Sequence, residues 1–201
     1  MLLPVYLIGY MASGKTTAGK LLAEKLGWHF VDLDDAFLEI NGYTTGEYIR
    51  QFGMEAFRKQ EKDCVEKLAE LPIEKVIYAT GGGYPCWEDN MECLHELGTS
   101  FYLRWRPDQL TKRLFLSGIT QRPVAVDGMN AAEGETEEEK MLHFVEQHLE
   151  ARKDYYEQAD FIIDAPEDLH ESNDEEIAEH IYQIIKGGFL NPTLQNSKST
   201  V

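Results

Sequence analysis

The stretch Gly9-Tyr10-Met11-Ala12-Ser13-Gly14-Lys15-Thr16 constrains this chain more than any other. It is a complete G-x-x-x-x-G-K-[ST] element. Such a loop works between a strand that delivers it and a helix whose N-terminus completes the anion site. Both flanks are present: the apolar run Val5-Tyr6-Leu7-Ile8 precedes the loop, and a helical pattern from Lys15 to Leu26 follows it. Glycines let backbone N–H groups approach phosphate oxygens with no Cβ in the way. Lys15 supplies a point charge for β- and γ-phosphates, and Thr16 offers its hydroxyl to Mg²⁺. The loop therefore implies a bound nucleoside triphosphate. Its candidate phosphate contacts are Gly9, Met11, Ala12, Ser13, Gly14, Lys15, Thr16 and Thr17.

Beyond the loop, strand and helix patterns alternate. Short runs rich in β-branched and aromatic residues predict strands over Val5–Ile8, His29–Leu33, Lys75–Thr80, Ser100–Leu103 and Phe161–Asp164. Helical patterns predict Lys15–Leu26, Thr45–Phe52, Glu55–Glu70, Trp87–Leu97, Pro107–Leu116, Glu137–Tyr156 and Asp174–Ile185. This order predicts an α/β domain, doubly wound around a parallel sheet. The 201 residues suffice for one buried core and fall short of two ordinary domains. Ile119 to Glu135 shows no apolar periodicity and reads as a mobile loop. Thr136 reads as the N-cap of the next helix, with Glu139 closing a capping box. Gly187 to Val201 reads as a frayed polar tail.

Charge narrows the partners. Nineteen Lys and Arg face 36 Asp and Glu, a net charge of −17, which disfavours nucleic acid and anionic membrane surfaces. An acidic chain that holds polyphosphate must gather its cations at one place. The arginines are Arg50, Arg58, Arg104, Arg106, Arg113, Arg122 and Arg152. Cys64, Cys86 and Cys93 form no ligand or disulfide framework, as expected in a reducing cytosol. The apolar start lacks a basic flank and reads as a first strand, and no run is long enough to span a bilayer. A cytoplasmic protein is expected.

Three further groups carry chemistry. Asp32-Leu33-Asp34 closes the second strand, where residues two apart share a side, at the edge that also holds the phosphate loop. One carboxylate can serve a metal, the other a proton on an attacking hydroxyl; alternatively Asp34 or Asp35 caps the helix that follows. Gly81-Gly82-Gly83 ends the third strand. Three glycines exceed what a turn needs and suggest a ligand close against the backbone. Arg58 is three residues from Glu61 and could form a surface ion pair on a helix. Arg122 opens the aperiodic loop, and Arg152 lies in the long helix near Tyr155 and Tyr156.

Together these elements resemble the shikimate kinase family, in the nucleoside-monophosphate-kinase branch of phosphate-loop proteins. The resemblance runs from about residue 5 to residue 186. It rests on the Gly9–Thr16 loop, Asp32-x-Asp34, Phe57-Arg58, Gly81-Gly82-Gly83, and Arg122-Pro123 followed by Arg152. It implies a three-layer α/β/α kinase fold with a five-stranded parallel sheet in the order 2-3-1-4-5. Residues 1–186 would form one domain, with a substrate-binding helical region at about 34–61 and a lid at about 117–135. The implied reaction is ATP plus shikimate giving ADP and shikimate 3-phosphate, in aromatic amino-acid synthesis, by an enzyme expected to be monomeric. The resemblance gives Lys15 and Thr16 the phosphate and Mg²⁺, and Asp32 the metal through water. Asp34 would bind the substrate hydroxyls and act as base. Arg58 and Arg152 would grip the substrate carboxylate, and Gly81, Gly82 and Gly83 would line its pocket. Arg122 would reach the γ-phosphate from the lid, and Arg113 would stack on adenine at a shifted spacing. A carboxylate ligand suits planar guanidinium donors, so the physical logic agrees.

The chain departs from the family at two places. Arg122-Pro123 continues as Val124-Ala125-Val126 and then an acidic extension, and Met54 stands where a glutamate is usual, with an expected effect on packing. Two other readings stand beside this one: a gluconate or nucleotide kinase of the same architecture, and a catalytically silent nucleotide-binding module. The triple glycine and paired arginines favour shikimate over the first. The joint presence of Lys15, Thr16, Asp34 and Arg122 argues against the second.

Overall fold

The computed structural model describes residues 4–73, 75–118, 123–170 and 172–188. Five parallel strands form one sheet: β1 (Val5–Ile8), β2 (His29–Asp32), β3 (Val76–Ala79), β4 (Thr99–Arg104) and β5 (Phe161–Asp164), in the order β2-β3-β1-β4-β5. The predicted order holds. Central β1 and its neighbour β3 are buried along their whole length, which is why they read as continuous apolar runs. Register follows from Val5 opposite Ile77 on one side and Thr99 on the other.

The helices are α1 (Lys15–Leu26), α2 (Leu33–Asn41), α3 (Thr45–Phe52), α4 (Met54–Ala69), α5 (Asn90–Leu97), α6 (Pro107–Leu116), α7 (Pro123–Ala131), α8 (Glu137–Tyr156) and α9 (Asn173–Gly188). Several ends obey local chemistry. Gly27, in the left-handed region, closes α1 with its N–H on Ala23 and Glu24 carbonyls. Thr44 with Glu47, and Thr136 with Glu139, form capping boxes, the second as predicted.

A large core spans the sheet and the helices on its faces. A smaller cluster of Phe37, Phe57 and Cys64, with Tyr48 and Ile49 against it, holds α2, α3 and α4 together. The rings of Phe37 and Phe57 meet edge to face at 5.2 Å. This satellite cluster matters for function, because Asp34 lies on α2 and Arg58 on α4.

The structure departs from expectation in five places. Within 119–135, expected as a loop, Pro123–Ala131 is helix α7, packed on α8 through buried Ala125 and Met129. Its buried stripe is one turn long, Ala125 and Met129, so periodicity is too faint to show it, and packing on α8 supplies what propensity lacks. Helix α2 begins immediately after β2, so Asp34 belongs to its first turn and does not share a strand face with Asp32. A 3-10 turn, Tyr84–Cys86, precedes α5, which starts at Asn90 and not at Trp87. Gly187 and Gly188, expected in a frayed tail, lie within α9. Met54 is exposed at the first position of α4, so its side chain has little packing to alter.

Candidate active site

The carboxyl ends of β1, β2 and β3 open onto a cavity of about 850 Å³. Met11, Ala12, Gly14, Lys15, Thr16, Thr17, Asp32, Asp34, Gly81, Gly82 and Arg113 line it, each a candidate site residue from the sequence. Placement follows the rule that open α/β sheets bind ligands beyond their strand ends. Gly9, Ser13, Gly83, Arg58 and Arg152 stand behind this lining rather than in it. Arg122 lies outside the described residues.

The phosphate loop takes its shape from glycine. Gly14 has φ 88° and begins α1, and an added Cβ would collide with the Asp174 carboxylate. Lys15 is buried and folds back on the loop, with Nζ donating to the carbonyls of Gly9 (2.9 Å) and Tyr10 (2.8 Å) and to Ser13 Oγ (3.3 Å). From the far side, Trp105 Nε1 donates to the Ser13 carbonyl at 2.9 Å. Arg113 Nε donates to the Ala12 carbonyl at 2.7 Å, its guanidinium lies over the Trp105 ring, and it pairs with Asp174. The loop is thus held by fixed donors before any ligand arrives.

Asp32 does two jobs. It accepts from the Asp34 backbone N–H at 3.0 Å, capping α2, and from Thr16 Oγ1 at 2.7 Å. The cap falls to Asp32 and not to Asp34 or Asp35 as expected, because the strand stops there and that carboxylate reaches the Asp34 N–H. Thr16 and Asp32 together present two oxygen groups to a cation. Among the described residues no cluster of three or more His, Cys, Asp or Glu could hold a metal alone. That donor set fits Mg²⁺, which keeps waters and takes remaining oxygens from phosphates.

Asp34, in the first turn of α2, lines the cavity with its side chain open to it. Burial, then the neighbouring Asp32, push its pKa above the ordinary value, while Lys15 and Arg58 pull it down. Its carboxylate therefore faces the cavity within the field of two cations. Arg58 pairs with Glu61 at 2.5 Å, with side chains only 13% and 5% exposed, so the pair is buried and not a surface bridge. Burial raises the Glu61 pKa, and Arg58 opposes it.

The three glycines explain how these groups meet. A Cβ on Gly81 would come within 2.6 Å of Glu61 Oε1 and 3.5 Å of Asp34 Oδ1. On Gly82 it would stand 3.2 Å from the Met11 backbone nitrogen and 3.4 Å from the Gly9 carbonyl oxygen. On Gly83 it would fall inside the Arg58 guanidinium. Each glycine is therefore pressed by a different part of the site. The Gly82 carbonyl also accepts from Arg152 Nη1 at 3.2 Å and from the Tyr156 hydroxyl at 2.5 Å. Arg152 in turn lies over the Tyr10 ring of the phosphate loop, 5.9 Å from its centre. The two arginines thus reach the glycine segment from behind the cavity wall, while Lys15 lines the cavity itself.

Sequence reasoning left out several participants. Glu61 was visible as a partner three residues from Arg58, and Tyr156 shares a helix face with Arg152 one turn earlier. Trp105, Asp174 and His148 carry no motif; only the packing of distant segments brings them in.

A family model for shikimate kinase matches residues 11–186. The chain belongs to the shikimate kinase family. A shikimate kinase from Bacteroides thetaiotaomicron is 38% identical over 163 residues, covering 81% of this chain and 87% of the relative. One from Parabacteroides distasonis is 37% identical over 181 residues, covering 90% and 98%. Among solved structures, a shikimate kinase from B. thetaiotaomicron superposes with a TM-score of 0.78 at 33% identity, covering 92% of this chain and 99% of that one. A shikimate kinase from Acinetobacter baumannii in complex with shikimate gives 0.75 at 28% identity, covering 95% and 97%. The chain is thus an ATP-dependent kinase with the family's sheet order, taking ATP as co-substrate with Mg²⁺ as the usual metal.

Proposed function

We propose that this member of the shikimate kinase family transfers the γ-phosphoryl group of ATP to the 3-hydroxyl of shikimate, with the residues above in defined roles. The observation that supports the reading is the shared glycine segment: Lys15 and Asp34 line the cavity with Gly81 and Gly82, Arg152 bonds the Gly82 carbonyl, and Arg58 lies against Gly83. Arg58 and Arg152 bind the substrate carboxylate as planar, fully charged donors. Asp34, set between Lys15 and Arg58, orients the attacking hydroxyl and accepts its proton. The hydroxyl oxygen bonds to the γ-phosphorus as the bond to the bridging oxygen breaks, and ADP leaves. Lys15 turns from the loop carbonyls to the β- and γ-phosphates and neutralises developing charge there. Thr16, with Asp32 behind it, would hold Mg²⁺, which supplies charge neutralisation on the phosphate oxygens. Arg113 walls the nucleotide end of the cavity, where Leu116, Ser117, Leu169, His170 and Asn173 also lie and the adenine would lodge. Arg122, in the segment of about 117–135 read as the lid, would add a cation at the γ-phosphate.

The enzyme is further proposed to be a cytoplasmic monomer without nucleic-acid partners. Its net charge of −17 supports the last point. No helix among the described residues is long and apolar enough to cross a membrane. An ADP-release assay across shikimate, gluconate and nucleoside monophosphates, with and without Mg²⁺, tests the reading. Turnover is expected with shikimate and Mg²⁺ alone. Phosphorylation of gluconate or a nucleotide in place of shikimate would overturn it.

A further inference from the structure

Helix α8 carries Phe144, His148 and Arg152 at four-residue spacing, and the last two meet Tyr10 of the phosphate loop. Only Arg152 has a role in the reading above. The middle member is bound to the loop itself. The Tyr10 hydroxyl and His148 Nδ1 lie 2.8 Å apart, and their rings meet edge to face with centroids 5.5 Å apart. Tyr10 is 1% exposed, so its hydroxyl needs that partner. Burial, then the nearby Arg152 charge, lower the His148 pKa to about 4. The imidazole is therefore neutral at physiological pH, and with the proton on Nε2 its Nδ1 accepts from the tyrosine.

Contacts continue on both sides of the pair. Towards the nucleotide, the Tyr10 carbonyl accepts from Lys15 Nζ at 2.8 Å. Towards the substrate, Arg152 lies over the same Tyr10 ring. Towards α7, Phe144 packs on His148 with centroids 4.9 Å apart, and its ring occupies the space where a Cβ on Gly128 would project. The phosphate-loop consensus leaves position 10 open, so nothing in nucleotide binding alone demands a tyrosine there.

We propose that Tyr10 and His148 are a positioning pair whose hydrogen bond fixes the phosphate loop against α8, and so sets the spacing between the nucleotide held by Lys15 and the substrate held by Arg152. Phe144 extends the contact to α7. The inference rests on the reading of Lys15 and Arg152 given above. Because both guests are aligned through one bond, losing it should harm turnover more than it harms folding.

The test uses steady-state kinetics and thermal unfolding on the full chain. In Tyr10→Phe and in His148→Leu, kcat/KM for shikimate at saturating ATP should fall about tenfold, the effect of one lost buried hydrogen bond. The double variant should fall no further. His148→Asn, which returns an acceptor near the Nδ1 position, should recover to within about threefold of the wild type, a rescue that packing alone does not explain. Val145→Ala, a core change on the same helix, should lower Tm while leaving kcat/KM within about twofold. Multiplying effects in the double variant, or an asparagine variant no better than the leucine one, would overturn the pair. So would an equal loss in Val145→Ala. Lys15→Met separates the two levels: it should abolish turnover, and full activity there would instead overturn the underlying reading of the site.

Discussion

Replacing Gly83 by alanine adds one methyl group and no chemistry, yet the structure predicts a selective loss of substrate recognition. The backbone at Gly83, φ −102° and ψ −6°, is open to any L-residue, so no strain arises there. The new Cβ, however, falls inside the guanidinium of Arg58, which must swing away. Arg58 is held by Glu61 at 2.5 Å and is 13% exposed, so it has no equivalent position to adopt. Moving it forfeits a charge-assisted hydrogen bond to the substrate carboxylate, worth about 1.5–3 kcal/mol. At about 1.4 kcal/mol per tenfold, kcat/KM for shikimate should drop roughly 10- to 150-fold. The fold should survive, because removing a glycine stabilises by about 0.4–1 kcal/mol through the unfolded chain and offsets part of the disturbed ion pair. The KM for ATP should stay within about twofold, since the three atoms nearest the methyl group all belong to Arg58. Gly82→Ala supplies the contrast: its Cβ would press on Met11 N and Gly9 O, both backbone, so the KM for ATP should rise. Steady-state assays with each substrate varied in turn separate the two. Unaltered shikimate kinetics in Gly83→Ala, or the same pattern in both variants, would refute the reasoning.

Other expectations follow from the same geometry. Asp34→Asn should lower kcat by about 10²- to 10⁴-fold while affinity for a non-hydrolysable ATP analogue is retained; undiminished turnover removes Asp34 from the mechanism. Because the folded-state pKa of Asp34 is raised, its ionised form opposes folding at neutral pH. Asp34→Asn should therefore raise Tm at pH 7, with the gain declining as pH falls from the raised folded-state pKa and gone below the unfolded carboxylate pKa, where aspartate is protonated in both states; a Tm gain independent of pH contradicts this. In the wild type, kcat/KM should fall as pH drops through a value above the ordinary carboxylate range, and a rise would exclude a carboxylate base. Arg152→Ala should weaken shikimate binding by about 1.5–3 kcal/mol, read by titration, whereas Arg104→Ala, whose partner is Asp164, should not. Phe37→Ala empties the satellite core and should cost about 3–5 kcal/mol in denaturant unfolding; a cost under 1 kcal/mol would show that this cluster does not hold α2 to α4.

Much of the fold was legible because parallel strands and phosphate loops impose strict local demands. A buried strand needs an apolar run, and β1 and β3 supply it. The loop needs glycine at its bend and a helix after it, and Gly14 and α1 comply. Reading failed where packing outweighed pattern. Helix α7 buries only Ala125 and Met129, one turn apart, which is too little to show a period. Asp32 and Asp34 were placed on one strand face, although the strand stops at Asp32 because that side chain caps α2. Glu61 could be seen as a partner for Arg58, but not that both would be buried.

What the chain's order of residues settled by itself was chemical inventory: which side chains carry charge, where a triphosphate would be cradled, and how strands and helices alternate. Those features are short-range, encoded within one turn or one strand, and need no knowledge of distant neighbours. Only the folded structure decided that Arg152 would meet Gly82, that Gly83 would lie under Arg58, and that a histidine in α8 would bond to a tyrosine in the phosphate loop. Such contacts join segments up to 138 residues apart. They depend on how helices settle on the sheet, a balance of burial and steric fit that no local pattern records.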